Sequence, residues 1–240
     1  MIYQLNQWMW AGLDWLFPPV CGGCNQAGYR WCPDCQKQVQ TISEPVCRTC
    51  GLPILHSGQC SHCKGSPPHY KMMRSWLVFE GPIRNALHKL KYRRNVALGD
   101  ALAKHFAEFV YTLGWSVDLV VPVPLGKERT KERGYNQVGL VAMPLALINH
   151  WRYSPRALVR PRETRSQVGL SIAERRENVS GAFLGNPALV LRSNVLLLDD
   201  VATTGATLSS CSAALMDAGA NSVYALTIAR ALPHHGLNNV

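Results

Sequence analysis

Two groups of residues have types and spacings that suit them to chemistry. Eight of the nine cysteines lie between Cys21 and Cys63 as four C-x-x-C pairs: Cys21/Cys24, Cys32/Cys35, Cys47/Cys50 and Cys60/Cys63. Each C-x-x-C turn aims two sulfurs at one point, and two such turns complete a tetrahedral Zn²⁺ site. Spacers of seven residues (Cys24 to Cys32) and nine (Cys50 to Cys60) favour sequential sites, with an interleaved pairing left open. A disulfide framework fits poorly with a chain that shows no export signal, because the cytosol keeps thiols reduced. Thiol exchange does not need four pairs in series. The expectation is two structural Zn²⁺ ions, each worth on the order of 10 kcal/mol to a segment too poor in aliphatics to fold on its own core. Four sulfurs satisfy each metal, so His56 and His62 read as bystanders.

The second group is Val195-Leu-Leu-Leu-Asp199-Asp200-Val201-Ala202-Thr203-Thr204-Gly205-Ala206-Thr207. An apolar strand over 195–198 delivers two adjacent carboxylates to its C-terminal end, where ligands bind in open α/β sheets. The hydroxyl-rich turn that follows opens a helix, whose first N–H groups and positive dipole end suit a phosphate. Carboxylates just upstream would meet the vicinal hydroxyls of a ribose. A strand ending in Asp also resembles part of a P-loop NTPase, but that class needs G-x-x-x-x-G-K-[ST], and the sequence contains none.

These residues need elements to place them. Residues 65–69 (Gly-Ser-Pro-Pro-His) read as a linker, which divides the chain into residues 1–66, an N-terminal helix with the cysteine pairs, and residues 67–240. Beyond the linker, strand and helix signals alternate. Strands are expected over 76–79, 119–123, 195–198 and 223–228. Helices are expected over 83–92, 98–113, 137–150 and 207–218, the last stopped by Gly219. Ser171-Ile-Ala-Glu174 is a capping box that opens a short helix. The implied fold is α/β, with a mostly parallel sheet covered on both faces.

No apolar run reaches the roughly 18 residues that span a bilayer, so no transmembrane segment is expected. The Trp- and Leu-rich start (Leu5, Trp8, Leu13, Trp15, Leu16, Phe17) reads as a short amphipathic helix. It lacks the basic region and cleavage site of a signal peptide, which favours a cytoplasmic location. The formal charge is +10, of which residues 67–240 carry +9. With two Zn²⁺ held by thiolates it becomes about +6, still suited to an anionic partner. Basic residues cluster at Arg84, Lys89, Lys91, Arg93 and Arg94, again at Lys127, Arg129, Lys131 and Arg133, and a third time from Arg152 to Arg176. Tyr92, Tyr135 and Tyr153 lie among them, and such interleaving suits single-stranded nucleic acid.

The stretch from Val195 to Thr207 resembles the phosphoribosyl pyrophosphate (PRPP) signature of type I phosphoribosyltransferases. More narrowly, the chain resembles the ComF/GntX family of competence and DNA-utilisation proteins, which join a double zinc ribbon to such a domain. The resemblance is carried by the four C-x-x-C pairs, Leu90-Lys91-Tyr92, Val121-Pro-Val-Pro124 with Arg133-Gly-Tyr-Asn-Gln137, Thr164-Arg-Ser-Gln167 with Asn178 to Phe183, and the PRPP-like loop. It implies a type I phosphoribosyltransferase fold behind a small zinc ribbon. It also implies that Asp199 and Asp200 hold ribose hydroxyls directly or through Mg²⁺, and that Val201, Ala202, Thr203, Thr204, Gly205, Ala206 and Thr207 wrap the 5′-phosphate. Lys127, Arg129 and Arg133 would face the pyrophosphate, and residues 160–170 would close over the site. The implied partners are PRPP or a similar phosphosugar, and single-stranded DNA or a DNA-processing protein. Whether sugar is transferred to a base or small acceptor, or PRPP is only bound, stays open.

Overall fold

The computed structural model describes residues 18–93, 95–162, 172–179 and 181–232. The expected N-terminal helix, Arg94, the 164–167 motif, most of the 160–170 segment and the Ser171 cap lie outside them. The two cysteine segments contribute short helices α1 (Pro33–Gln38) and α2 (Ser61–Gly65). The body follows as β1 (Met72–Val78), α3 (Gly81–Tyr92), α4 (Val96–Thr112), β2 (Leu119–Pro122), α5 (Lys127–Arg133), α6 (Gln137–Ile148) and β3 (Arg152–Tyr153). It continues through β4 (Leu158–Val159), α7 (Ile172–Val179), β5 (Leu184–Gly185), α8 (Pro187–Val190), β6 (Asn194–Ala202), α9 (Ala206–Asp217) and β7 (Ser222–Arg230).

Five strands form one parallel sheet in the order β1-β7-β6-β2-β3, and β4 pairs with β5 in a separate antiparallel ribbon. Side chains alternate across a strand, so β6 feeds two cores. Leu196 and Leu198 join α3, α4 and α6 on one face, through Leu87, Phe106 and Val141. Val195 and Leu197 join α9 on the other, through Leu208, Cys211 and Leu215. Helices therefore cover both faces, as the α/β reading expects.

Pro122 is tolerated in β2 because short β3 pairs only with Leu119 and Val120, leaving the missing N–H of Pro122 without a strand to serve. Asn95 caps α4 by accepting from the Leu98 N–H at 3.2 Å, and Asn136 caps α6 by accepting from the Val138 N–H at 3.0 Å. Several features differ from the sequence reading. Strand β6 runs past Leu198 to Ala202, β1 begins at Met72, the polar stretch after β2 holds α5, and α1, α2, β3, α8 and the ribbon β4–β5 are additional.

Candidate functional site

The sulfurs assemble sequentially: Cys21, Cys24, Cys32 and Cys35 form one cluster, and Cys47, Cys50, Cys60 and Cys63 the other, each with its sulfurs within 4.8 Å of one another. Measured edges are 3.7 Å (Cys21–Cys35), 3.6 Å (Cys24–Cys32) and 3.8 Å (Cys50–Cys60). A tetrahedron of sulfurs about 2.3 Å from Zn²⁺ has edges of about 3.8 Å, so both sets fit the metal. Burial alone would raise the Cys21 thiol, but N–H groups of Cys24, Cys32 and Gly23 outweigh it and bring the thiol to about 6. Cys47 repeats this balance with Cys50, Cys60 and Thr49, also reaching about 6. Each metal would thus meet a sulfur already inclined to ionise. Neither His56 nor His62 belongs to a cluster.

The second site forms where β6 meets α9. Because β6 continues to Ala202, Asp199 and Asp200 lie within its last turns of pleat and not beyond its end; Asp199 is in register with Thr227 of β7. The Asp199 carboxylate accepts from the Asp200 N–H at 2.8 Å. Burial pushes the Asp199 carboxyl up and the neighbouring Asp200 charge pushes it further, to about 8. Asp200 takes a different environment. It accepts from the Gln137 amide at 2.9 Å and pairs with the Lys91 ammonium at 2.9 Å. Gln137 in turn accepts from the buried Arg133 guanidinium at 2.8 Å. The guanidinium lies over the Tyr92 ring, 5.2 Å from its centroid.

After Ala202 the chain turns through Thr203 and Thr204 to Gly205, which sits at φ +79° and caps α9 without a side-chain hydrogen bond. The first-turn N–H groups of α9 have no carbonyl four residues back, which leaves them directed at whatever fills the turn. Thr204 Oγ1 accepts from the Ala206 N–H at 3.4 Å. A small concavity of about 40 Å³ opens here, lined by Asp199, Val201, Ala202, Thr203, Thr204, Gly205, Ala206 and Thr207. Eight of the nine loop residues singled out from sequence line it, and Asp200 does not. A larger groove of about 680 Å³ runs along the outer side of α9, meeting the loop at Thr204, Gly205 and Ala206 but containing neither carboxylate.

The basic residues expected near a pyrophosphate divide. Lys127 and Arg129 are exposed on α5, whereas Arg133 is turned inward to Gln137. The sequence reading gave Gln137 and Lys91 no site role. Their signal was positional: Gln137 starts α6, the second helix after β2, which lies next to β6 in the sheet, and Lys91 lies in the last turn of α3.

A double zinc ribbon domain family matches residues 12–64. DNA utilization protein YhgH of Escherichia coli (strain K12) is 31% identical over 226 residues, covering 90% of this chain and 98% of that protein. The chain belongs to the ComF/YhgH family. Competence protein ComFC of Bacillus subtilis is a more distant relative, 26% identical over 215 residues, which cover 83% of each chain. Among solved structures, adenine phosphoribosyltransferase from Thermoanaerobacter pseudethanolicus overlaps 58% of this chain and 84% of its own at 14% identity. Its TM-score of 0.38 is too loose to bear on the site. Three segments that suggested this family from sequence, around Lys91, 133–137 and Asp200, converge on one hydrogen-bonded network.

Proposed function

We propose that this ComF/YhgH family member binds PRPP, or a closely similar phosphosugar, together with Mg²⁺ at residues 199–207. In this reading residues 1–66 form a zinc-bearing module and residues 67–240 the phosphosugar domain. The carrying observation is the pair of carboxylates on β6 leading directly into the left-handed Gly205 turn and the open N-terminus of α9. First-turn N–H groups, with Thr203, Thr204 and Thr207 beside them, take the 5′-phosphate. Asp199, part-protonated near neutral pH, gives up its proton as ribose hydroxyls or the cation arrive. Lys91 and Gln137 hold Asp200 in place. Bound Mg²⁺ would offset the pyrophosphate charge, with the exposed Lys127 and Arg129 of α5 as the cations proposed to help.

The same rim suits a nucleic-acid strand. Lys91 reaches Asp200, so Tyr92 and Arg93 follow at the edge of the site, and the Arg133–Tyr92 contact brings α5 to that edge. Tyr92 is 54% exposed at that edge, with the Arg133 guanidinium and the His88 ring against it. Relatives named for DNA utilisation and competence support a role in handling DNA, with single-stranded DNA or a DNA-processing protein as the proposed partner.

Calorimetric titration of PRPP with Mg²⁺ tests the reading. Wild type is expected to bind. Asp199→Asn with Asp200→Asn is expected to lose about a hundredfold or more in affinity while keeping two zincs per chain, because both carboxylates of the proposed site go at once. Unchanged affinity in that variant contradicts the assignment. Pyrophosphate release during the same titration, with nucleobases or single-stranded DNA present, would add transfer of ribose 5-phosphate to the binding role.

A further inference from the structure

The back of the phosphate loop is built by the second Cys₄ module. Gly205 holds φ +79°, yet glycine visits many conformations at little cost, so the turn needs an outside restraint. Two side chains supply it. A Cβ placed on Gly205 would lie 3.1 Å from Tyr70 Oη and 3.4 Å from Met73 Sδ, so both press on this residue. Tyr70 is 4% exposed and Met73 fully buried. Its ring packs in one cluster with Cys47, Cys50, Cys60, Cys63, Ala202 and Ala206.

Several ties fasten this wall to the metal module. The Met73 N–H donates to the Thr49 carbonyl at 2.7 Å. Gly51, at φ +65°, lets the backbones meet, since a Cβ there would lie 2.8 Å from the Met73 carbonyl oxygen. The Arg230 guanidinium donates to the Cys50 carbonyl, and Arg230 is in register with Ala202, the last residue of β6. The linker joins in as well. The His69 N–H donates to Ser209 Oγ at 3.2 Å, and the Ser209 N–H donates to the Gly205 carbonyl at 2.9 Å. The first module is tied elsewhere, to α3 through Asn85 and Lys89 and to α4 through Leu98.

We infer that Tyr70 is a positioning residue for the 203–207 loop, and that the second Cys₄ site, not the first, sets the loop's shape. Only the consequence for ligand affinity rests on the phosphosugar reading. The positioning is a property of the chain alone.

Hydrogen exchange of the 204–208 amides in the full zinc-loaded chain tests it. Tyr70→Ala and Tyr70→Leu are expected to speed exchange about tenfold while retaining two zincs per chain, and Tyr70→Phe to give intermediate protection, because the ring edge at 4.0 Å stays while the hydroxyl at 3.1 Å is lost. Asn85→Ala, which cuts a tie of the first module, leaves these amides unchanged. In wild type, linkage requires the reciprocal effect. PRPP with Mg²⁺ slows chelator extraction of zinc from the Cys47 set about tenfold and leaves the Cys21 set unchanged, read by cysteine alkylation and mass spectrometry. Wild-type exchange in both Tyr70→Ala and Tyr70→Leu overturns the proposal, as does equal protection of the two zinc sets when PRPP binds. Faster exchange in these variants, with no PRPP binding by wild type, upholds the positioning and removes the phosphosugar reading instead.

Discussion

The two Cys₄ modules share one plan, a C-x-x-C turn, a spacer and a second turn, yet they dock on opposite faces of the sheet. Cys21, Cys32 and Cys35 enter the core beneath α3 and α4, while the Cys47 set enters the core beneath α9. The first module leaves Cys24 exposed; the second buries all four ligands. The first is held by helix side chains, with Lys89 donating to the Cys21 carbonyl at 2.8 Å and Asn85 to the Gly23 carbonyl at 3.0 Å. The second is held by strand ends beside the 203–207 loop, through Met73 and Arg230. Near-identical metal motifs can thus serve different ends. What distinguishes them is the surface they close.

Removing one ligand from each module should break this symmetry most visibly. Cys60→Ser is expected to lose one zinc and most soluble, cooperatively melting protein, since a metal contribution on the order of 10 kcal/mol exceeds the whole stability of an ordinary domain. Cys24→Ser is expected to weaken the first zinc and leave a folded body. Metal analysis with thermal melts checks both, and equal losses would erase the distinction. Next in size is reactivity. Under mild chelation, Cys24 should be alkylated about tenfold sooner than any of the Cys47 set, because it is the exposed ligand.

A smaller effect tests the charge network at the loop. Lys91→Met removes the cation from a mostly buried carboxylate, and a loss of about 1–3 kcal/mol is expected in urea unfolding. A loss near zero would mean that the Gln137 amide alone satisfies Asp200. Smaller still is a pH slope. The Asp199 carboxyl stands at about 8 in the folded chain against an ordinary 3.8. Between those values the folded state binds more protons than the unfolded one. Ligand-free stability should therefore be full below about pH 4 on this term and fall as pH rises towards about 8. Urea melts between about pH 6.5 and 8.5 keep clear of thiolate protonation, and Asp199→Asn should flatten the slope. A slope that survives the substitution assigns it to another group.

Much of this arrangement was legible in the residues. The sulfur sets followed from spacing, with only their sequential pairing left for the structure to decide. Strand β6 and helix α9 followed from Val195-Leu-Leu-Leu and the Thr-Gly turn. The extension of β6 through Asp199 and Asp200 did not, because adjacent carboxylates are poor strand formers and are held there by pairing with β7. Helix α5 was missed because Lys127-Glu-Arg-Thr-Lys-Glu-Arg133 is charged all round and shows no apolar stripe. The inward turn of Arg133 depends on Gln137 and Tyr92, partners that only the folded chain supplies. Tyr70, just past the linker at 65–69, was given no role. Its contact with Gly205 spans 135 positions of sequence, a range over which local pattern says nothing.

A crystal of the zinc-loaded chain soaked with PRPP and Mg²⁺ tests the central claim most directly. The account predicts density for a 5′-phosphate against the amides of the Gly205 turn, with ribose hydroxyls within hydrogen-bond reach of Asp199 or Asp200. A loop left empty at saturating ligand, with the sugar absent or bound in the groove outside α9, would contradict it.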